Sequence, residues 1–326
     1  MPFKLEIPIF TTEVEEHDVR SFEQMSFKEL LKLCKNFNSA ECRRIRLELN
    51  AVGSYVAHMN TGDGGLTPNI KDAIRFLTHL RKSEILTEDQ QPAIRIMIRP
   101  RGAKHDDKSV SPMIEVQDFQ YSDAELVAMC QSIEDFKTMG RDVLSPERGD
   151  GFVFGVQKRL DGPLNELMLH PHANKRLTST AHPYPCFLHR AFDGVLATSQ
   201  NYPGTKIPMG RLVEKMKGHG FKGVLTSGGW GNATNNLERL GELGRAALKE
   251  KEEDKFELIV GGGVRYGNVW DICYAMKELA QHRDFWFHSS CLSGEASPYT
   301  TAWTMLMRLN AAEEAAENWT AGACAN

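Results

Sequence analysis

The stretch "RIRLELN", Arg44 to Asn50, alternates without a break. Ile45, Leu47 and Leu49 fall on one face of a strand, and Arg44, Arg46, Glu48 and Asn50 on the other. The alternation returns in "AIRIMIRPR" (93–101), where Ile94, Ile96 and Ile98 oppose Arg95, Met97, Arg99 and Arg101. Two such strands predict a fold whose aliphatic strand face lies under helices while the charged face looks into a lumen.

Working outward, further β-type runs follow: "LEIPIF" (5–10), "GFVFGV" (151–156), "PCFLHRAF" (185–192), "GVLTSG" (223–228), "ELIVGGG" (257–263) and "FWFHSS" (285–290), making eight. Helical periodicity separates most of them, beginning near Ser26, Thr67, Ser122, Pro208, Asn235, Gly267 and Tyr299. Ser122 and Glu125 have the spacing of a capping box. The exception is residues 157–183, where the pattern is only loosely periodic and contains a proline. Eight strands alternating with helices predict a closed (β/α)8 TIM-type barrel, with an open doubly wound sheet as the alternative. The expectation is one domain over residues 1–326, with a long link at 103–118 after the third strand and a loose tail at 319–326.

The totals exclude several classes. Thirty-nine basic and 43 acidic side chains give a net charge of −4 with no block of one sign, which argues against nucleic acid or an anionic membrane as partner. No uncharged apolar run approaches the roughly 18–20 residues that span a bilayer. The N-terminal stretch turns acidic and lacks a signal peptide's apolar core. Seven cysteines, at 34, 42, 130, 186, 273, 291 and 324, are scattered and form no C-x-x-C pair. Reduced thiols in a cytoplasmic protein are the expectation. No nucleotide cofactor is indicated.

In a barrel of this type the chemistry sits at the C-terminal strand ends. Glu48, Arg99, Arg101, His189, Arg190, Asp193 and His288 are expected there, with Glu6 on the same lumenal face. Arg44, Arg46 and Arg95 lie nearer the other end, where a buried charge network is an equal reading. Two glycine-bearing tips complete the rim: "LTSGG" (225–229) offers Thr226, Ser227 and Gly228, and "GGGVR" (261–265) offers Gly262, Gly263 and Arg265, with Ser289 beside them. Free N–H groups at such tips attract anions. His105, Asp106 and Asp107 in the 103–118 link are candidate hard-metal ligands or part of a lid, though a solvated loop is the simpler reading. "NYPGTK" (201–206) is a second candidate lid.

Seven pieces then stand in order: "GDGGLTPN" (62–69), "IRPRG" (98–102), "FQYSDAEL" (119–126), "FLHRAFD" (187–193), "GVLTSGG" (223–229), "GGGVR" (261–265) and "FHSS" (287–290). Their order and spacing resemble the CutC copper-homeostasis family over nearly the whole chain. The resemblance implies a TIM-type barrel in the cytosol, a small homo-oligomer, and copper handling with no reaction established for the family. It also implies a cysteine two residues after the first-strand glutamate and another directly after "EL" of the second strand. Here those positions hold Pro8 and Asn50.

Two functions therefore compete. One is binding of copper or another divalent cation by Glu6, Glu48, His189, Asp193, His288 and Cys291, a set dominated by oxygen and nitrogen that suits a divalent ion better than copper(I). Met97 is the only soft lumenal candidate beside Cys291. The other is an enzyme acting on a small phosphorylated or carboxylated metabolite. Arg99 and Arg101 would clamp the anion, the glycine tips would cradle it, and His189, Glu48 or Asp193 would move a proton.

Overall fold

The eight runs are the strands of a closed parallel barrel, in a computed structural model that describes residues 3–10, 25–51, 65–102, 118–160, 166–201, 207–247, 256–279, 285–291 and 296–321. The chain runs β1 (Lys4–Phe10), α1 (Phe27–Phe37), β2 (Ile45–Asn50), α2 (Ile70–Arg81), β3 (Ala93–Met97), α3 (Asp123–Met139) and β4 (Gly151–Phe154). It continues through β5 (Gln157–Arg159), β6 (Leu167–Leu169), α4 (Pro171–Ala181), β7 (Cys186–Leu188), α5 (Ala191–Asn201), α6 (Met209–Gly218) and β8 (Phe221–Thr226). Last come α7 (Leu237–Ala247), β9 (Glu257–Val260), α8 (Val269–Ala275), β10 (Phe285–His288) and α9 (Pro298–Ala321). Around the barrel the order is β1-β2-β3-β4-β7-β8-β9-β10, and β10 closes on β1. This is the (β/α)8 arrangement that eight alternating strand and helix signals predict.

Strand alternation sorts the side chains as expected. Leu5, Ile7, Ile45, Leu47, Ile94 and Ile96 pack outward in one large core beneath the helices. Inside the barrel, Met97, Val153, Phe187, Leu225, Ile259 and Trp286 form a separate cluster. The lumen is therefore lopsided: β4 to β9 fill it mainly with apolar groups, while β1 to β3 bring Glu6, Arg46, Glu48 and Arg95, all buried.

Helix starts follow local chemistry. Ser26 and Ser122 each accept a hydrogen bond from the backbone N–H three residues on, while Glu29 and Glu125 reach back to the cap N–H.

Three expectations need correction. The weak region 157–183 holds a two-stranded antiparallel hairpin, β5–β6, and then α4. That helix starts at Pro171, where a missing N–H costs nothing, and its buried face uses Ala173, Asn174, Leu177, Thr178 and Ala181. Asn174 accepts from the Val156 N–H at 2.9 Å and donates to the Val156 carbonyl at 2.8 Å, so polar anchoring supplements a small apolar stripe of Ala173, Leu177 and Ala181. The fifth barrel strand ends at Leu188, not 192, because Phe192, Val195 and Leu196 already have helical spacing and belong to α5. Arg44 does not face the lumen: its guanidinium donates to the Phe3 carbonyl at 2.9 Å and reaches Asn310 on α9.

The helix α9 also continues to Ala321, into the expected tail. Residues 103–117, with His105, Asp106 and Asp107, and residues 202–206 of "NYPGTK" lie outside the described residues. Among the described residues no helix is long and apolar enough to cross a membrane.

Candidate metal centre in the barrel lumen

Register places Glu6 beside both Arg46 and His288, and Glu48 beside Arg95. All five lumenal positions follow from the period-2 alternation of their strands. One ligand atom each from Glu6, Glu48 and His288 lies within 4.8 Å of the others. His288 Nδ1 stands 2.8 Å from Glu6 Oε1, and Arg46 Nε donates to Glu6 Oε2 at 2.5 Å. Glu48 Oε1 accepts from Asn50 Nδ2 at 3.0 Å, while its Oε2 is buried with no partner among the described residues.

The electrostatics set these groups apart. Burial alone would raise the Glu6 carboxyl, but the Arg46 charge and the His288 contact outweigh it and hold Glu6 below the usual carboxylate range. Burial raises Glu48, and the Glu6 charge adds to the shift against opposition from His288 and Asn50. Burial works against a charged His288, yet the carboxylates of Glu48 and Glu6 win and raise it. The result is an ionised Glu6, a proton-hungry His288, and a Glu48 oxygen that lacks a donor.

The other sequence candidates are not drawn into this cluster. His189 is buried at the end of β7: its Nδ1 accepts from the Ala191 N–H at 3.2 Å, and its Nε2 has no partner among the described residues. Phe119, held at φ 58°, lies 4.5 Å from the imidazole centroid and 4.8 Å from the Arg99 guanidinium carbon. Arg99 pairs with Asp118 at 3.0 Å, and Arg101 is turned to Glu125 at 2.5 Å.

Asp193 serves the rim, not the lumen. Its carboxylate accepts from Arg190 Nε at 2.7 Å, from the Ser227 N–H and hydroxyl at 2.9 Å each, and from the Thr226 hydroxyl. The tip of β8, expected to cradle a phosphate, is thus filled by the protein's own anion. Gly228, Gly262 and Gly263 do have positive φ, but a Cβ at 262 would stand 2.8 Å from Ser227 Cβ. The glycines there admit neighbouring side chains. Arg265 and Ser289 are bound to local backbone, Arg265 to the Val264 carbonyl at 3.0 Å and Ser289 to the same carbonyl at 2.8 Å. Cys291 packs with the outer core, its Sγ donating to the Ser289 carbonyl at 3.5 Å, and burial pushes the thiol up to about 12.

Sequence reasoning passed over Glu257, which binds Arg46 and lies 3.6 Å from Arg95. The signal was present, since Glu257, Ile259 and Gly261 alternate onto the lumenal face. Phe119 carried no such signal, because its placement depends on a chain reversal at positive φ.

His189 makes a pH prediction. Burial, then the nearby Arg99 charge, lowers its pKa from 6.5 to about 3. The unfolded chain takes up a proton there below pH 6.5 and the folded chain does not, so stability falls as pH drops through that window. Equilibrium urea unfolding from pH 7 to 4 should show His189→Gln flattening this fall by up to about 1.4 kcal/mol per pH unit. Parallel wild-type and variant curves would show that His189 is charged in the native state.

The donor set bears directly on a metal. Two carboxylates and an imidazole fit a divalent cation with open positions left for water, and they do not fit copper(I), which favours thiolate and thioether sulfur. Pro8 stands beside Glu48 in the β1–β2 register and Asn50 lies two residues further along β2, and neither supplies sulfur.

Comparison with known proteins completes the picture. A CutC family model matches residues 63–283. A CutC family protein of Porphyromonas gingivalis strain W83 is 27% identical over 261 residues, covering 80% of this chain and 79% of its own length. The crystal structure of a CutC from Streptococcus agalactiae, assigned by name to copper homeostasis, superposes with a TM-score of 0.55 at 19% identity, covering 90% of this chain and all of that one. An octameric Rubisco from Pyrococcus horikoshii gives 0.52 at 13% identity, over 96% of this chain and 60% of its own, which reflects the shared barrel alone. Glu6, Glu48 and His288 lie outside the family-matched stretch, so their meeting is a property of the closed fold. The matched stretch covers well over half of the sequence, and the chain belongs to the CutC family.

Proposed function

We propose that this CutC family protein is a cytoplasmic metal-handling protein that binds one divalent cation through Glu6, Glu48 and His288. The observation that carries the reading is the convergence of three ligand atoms within 4.8 Å in a buried lumen, with Glu48 Oε2 lacking a donor. Copper enters through the name of the Streptococcus agalactiae relative, and on this donor set it would be copper(II), not copper(I). The buried, unpaired thiols of Cys34, Cys186, Cys273 and Cys291 support a reducing compartment.

A cation between His288 and Glu6 takes the place of the proton they now share. Because His288 is raised, binding at neutral pH releases that proton, and affinity climbs with pH. Calorimetric titration of metal-free protein with zinc(II), manganese(II) and copper(II) should show one site whose affinity rises from pH 6 to 8. Copper(I), presented under a competing chelator, should bind far more weakly. Absence of stoichiometric divalent binding would remove this reading.

A second reading, catalysis on a small anionic metabolite, is supported by His189. With Nδ1 accepting from the Ala191 N–H, the buried neutral imidazole carries its hydrogen on Nε2, an unpartnered donor near the Arg99 charge that is suited to hydrogen-bond an anionic group of a bound molecule.

A further inference from the structure

The N-terminal end of the barrel, opposite the mouth, contains a cavity of about 330 Å³. Among the described residues its lining includes five cations, Lys4, Arg43, Arg46, Arg95 and Arg148, against two carboxylates, Glu41 and Glu257. Much of that positive charge is only partly compensated. Glu257 is shared: Arg46 Nη1 donates to one oxygen, and Arg95 Nη2 stays 3.6 Å from the other. Arg148 turns to Asp150 at 3.0 Å, which also serves Arg81. Arg43 donates to backbone, to the Asp89 carbonyl at 3.2 Å and the Arg148 carbonyl at 3.3 Å.

Two guanidinium N–H groups are left over. Arg46, wholly buried, commits Nε to Glu6 and Nη1 to Glu257, and its Nη2 has no partner among the described residues. Arg95, also buried, donates Nη1 to the Gly149 carbonyl, and its Nε is likewise unpartnered. A buried N–H left without an acceptor is destabilising, and here two belong to arginines that line the same cavity. Rigid placement sharpens the demand: the Arg46 guanidinium lies 4.0 Å from the Trp286 ring centroid and that of Arg95 3.6 Å from the Phe187 centroid. Neither fork is free to swing away. Guanidinium forks held in this manner match carboxylate and phosphate oxygens.

We propose that this N-terminal cavity is a second ligand site, which takes a small anion bearing a phosphate or carboxylate group, with the Arg46 and Arg95 guanidinium groups as its innermost cations. The site lies at the other end of the lumen from the Glu6–Glu48–His288 cluster, and Arg46, which donates Nε to Glu6, stands between the two. It is placed at the end of the barrel that usually contributes stability and not ligand chemistry. Its size is at the lower limit of ligand pockets, which suits a small metabolite or the headgroup of a larger one.

Inorganic phosphate is the probe. Calorimetry on the full chain at constant ionic strength should show saturable one-site binding, and the Tm should rise when phosphate replaces chloride. Arg95→Met keeps the packing on Phe187 and should weaken binding about tenfold, the worth of one charge-assisted contact. Lys4→Gln, at the half-buried rim, leaves the lumenal ion pairs in place and should weaken it roughly threefold. It decides the matter if Arg95→Met does not fold. Arg99→Gln, at the opposite end, should bind phosphate as the wild type does. No saturable binding to wild type overturns the proposal. So does binding that is lost in Arg99→Gln yet kept in Arg95→Met and Lys4→Gln, since the anion would then sit at the mouth.

Discussion

Replacing Arg46 by methionine is expected to lower the unfolding free energy by about 3–5 kcal/mol, the cost of removing one partner from a buried ion pair. The side chain is completely buried and its two bonded nitrogens neutralise Glu6 and Glu257. Methionine fills most of the volume and keeps contact with Trp286, so cavity formation is the smaller part of the loss. The larger part is Glu6, left as a carboxylate in the lumen with His288 as its remaining side-chain hydrogen-bond partner among the described residues. Urea unfolding followed by circular dichroism at pH 7 measures the effect. The double variant Arg46→Met/Glu6→Gln should recover part of it, because a neutral amide is cheaper to bury than an unpaired charge. A single-variant loss below about 1 kcal/mol would mean that solvent enters the lumen and screens both carboxylates.

The second large effect concerns the cation. His288→Ala and Glu48→Gln should each weaken divalent binding by at least about 100-fold, since losing a direct ligand exceeds the 10–100-fold typical of outer-shell partners. Their stability effects should differ. Glu48→Gln removes a carboxyl that burial already pushes toward its protonated form, so the amide replaces it at little cost or with a small gain. His288→Ala opens a small void and deprives Glu6 of a contact. Retained fold with lost binding in Glu48→Gln separates the site from the scaffold. Wild-type affinity in both variants would place any bound metal elsewhere.

The barrel was legible because its signals are local and periodic. Alternation in residues 44–50 and 93–101 reports which face a side chain takes, whatever the strand pairs with. Capping at Ser26 and Ser122 is likewise settled within one helical turn. Where local signals were weak, the reading failed for a physical reason. Helix α4 is held by Asn174 bonding to Val156 and by a stripe of Ala173, Leu177 and Ala181, in which two of the three anchors are small alanines that give a weak periodic signal. Arg44 follows strand alternation on paper, but it precedes β2 and is captured by α9, which closes the chain 266 residues later.

The candidate site divides in the same way. Composition and alternation alone determined that charged groups occupy the lumen, that Pro8 and Asn50 supply no sulfur, and that Glu6, Glu48 and His288 are lumenal candidates. Only the closed tertiary structure decided which of them meet. Ring closure of β10 on β1 brings together residues 6 and 288, which no sequence window contains. It also decided that Asp193 fills the β8 tip from the first turn of α5, and that Cys291 turns outward into the core. Face is a property of one strand, whereas partnership depends on register and on which strands are neighbours, and those are settled when the sheet closes.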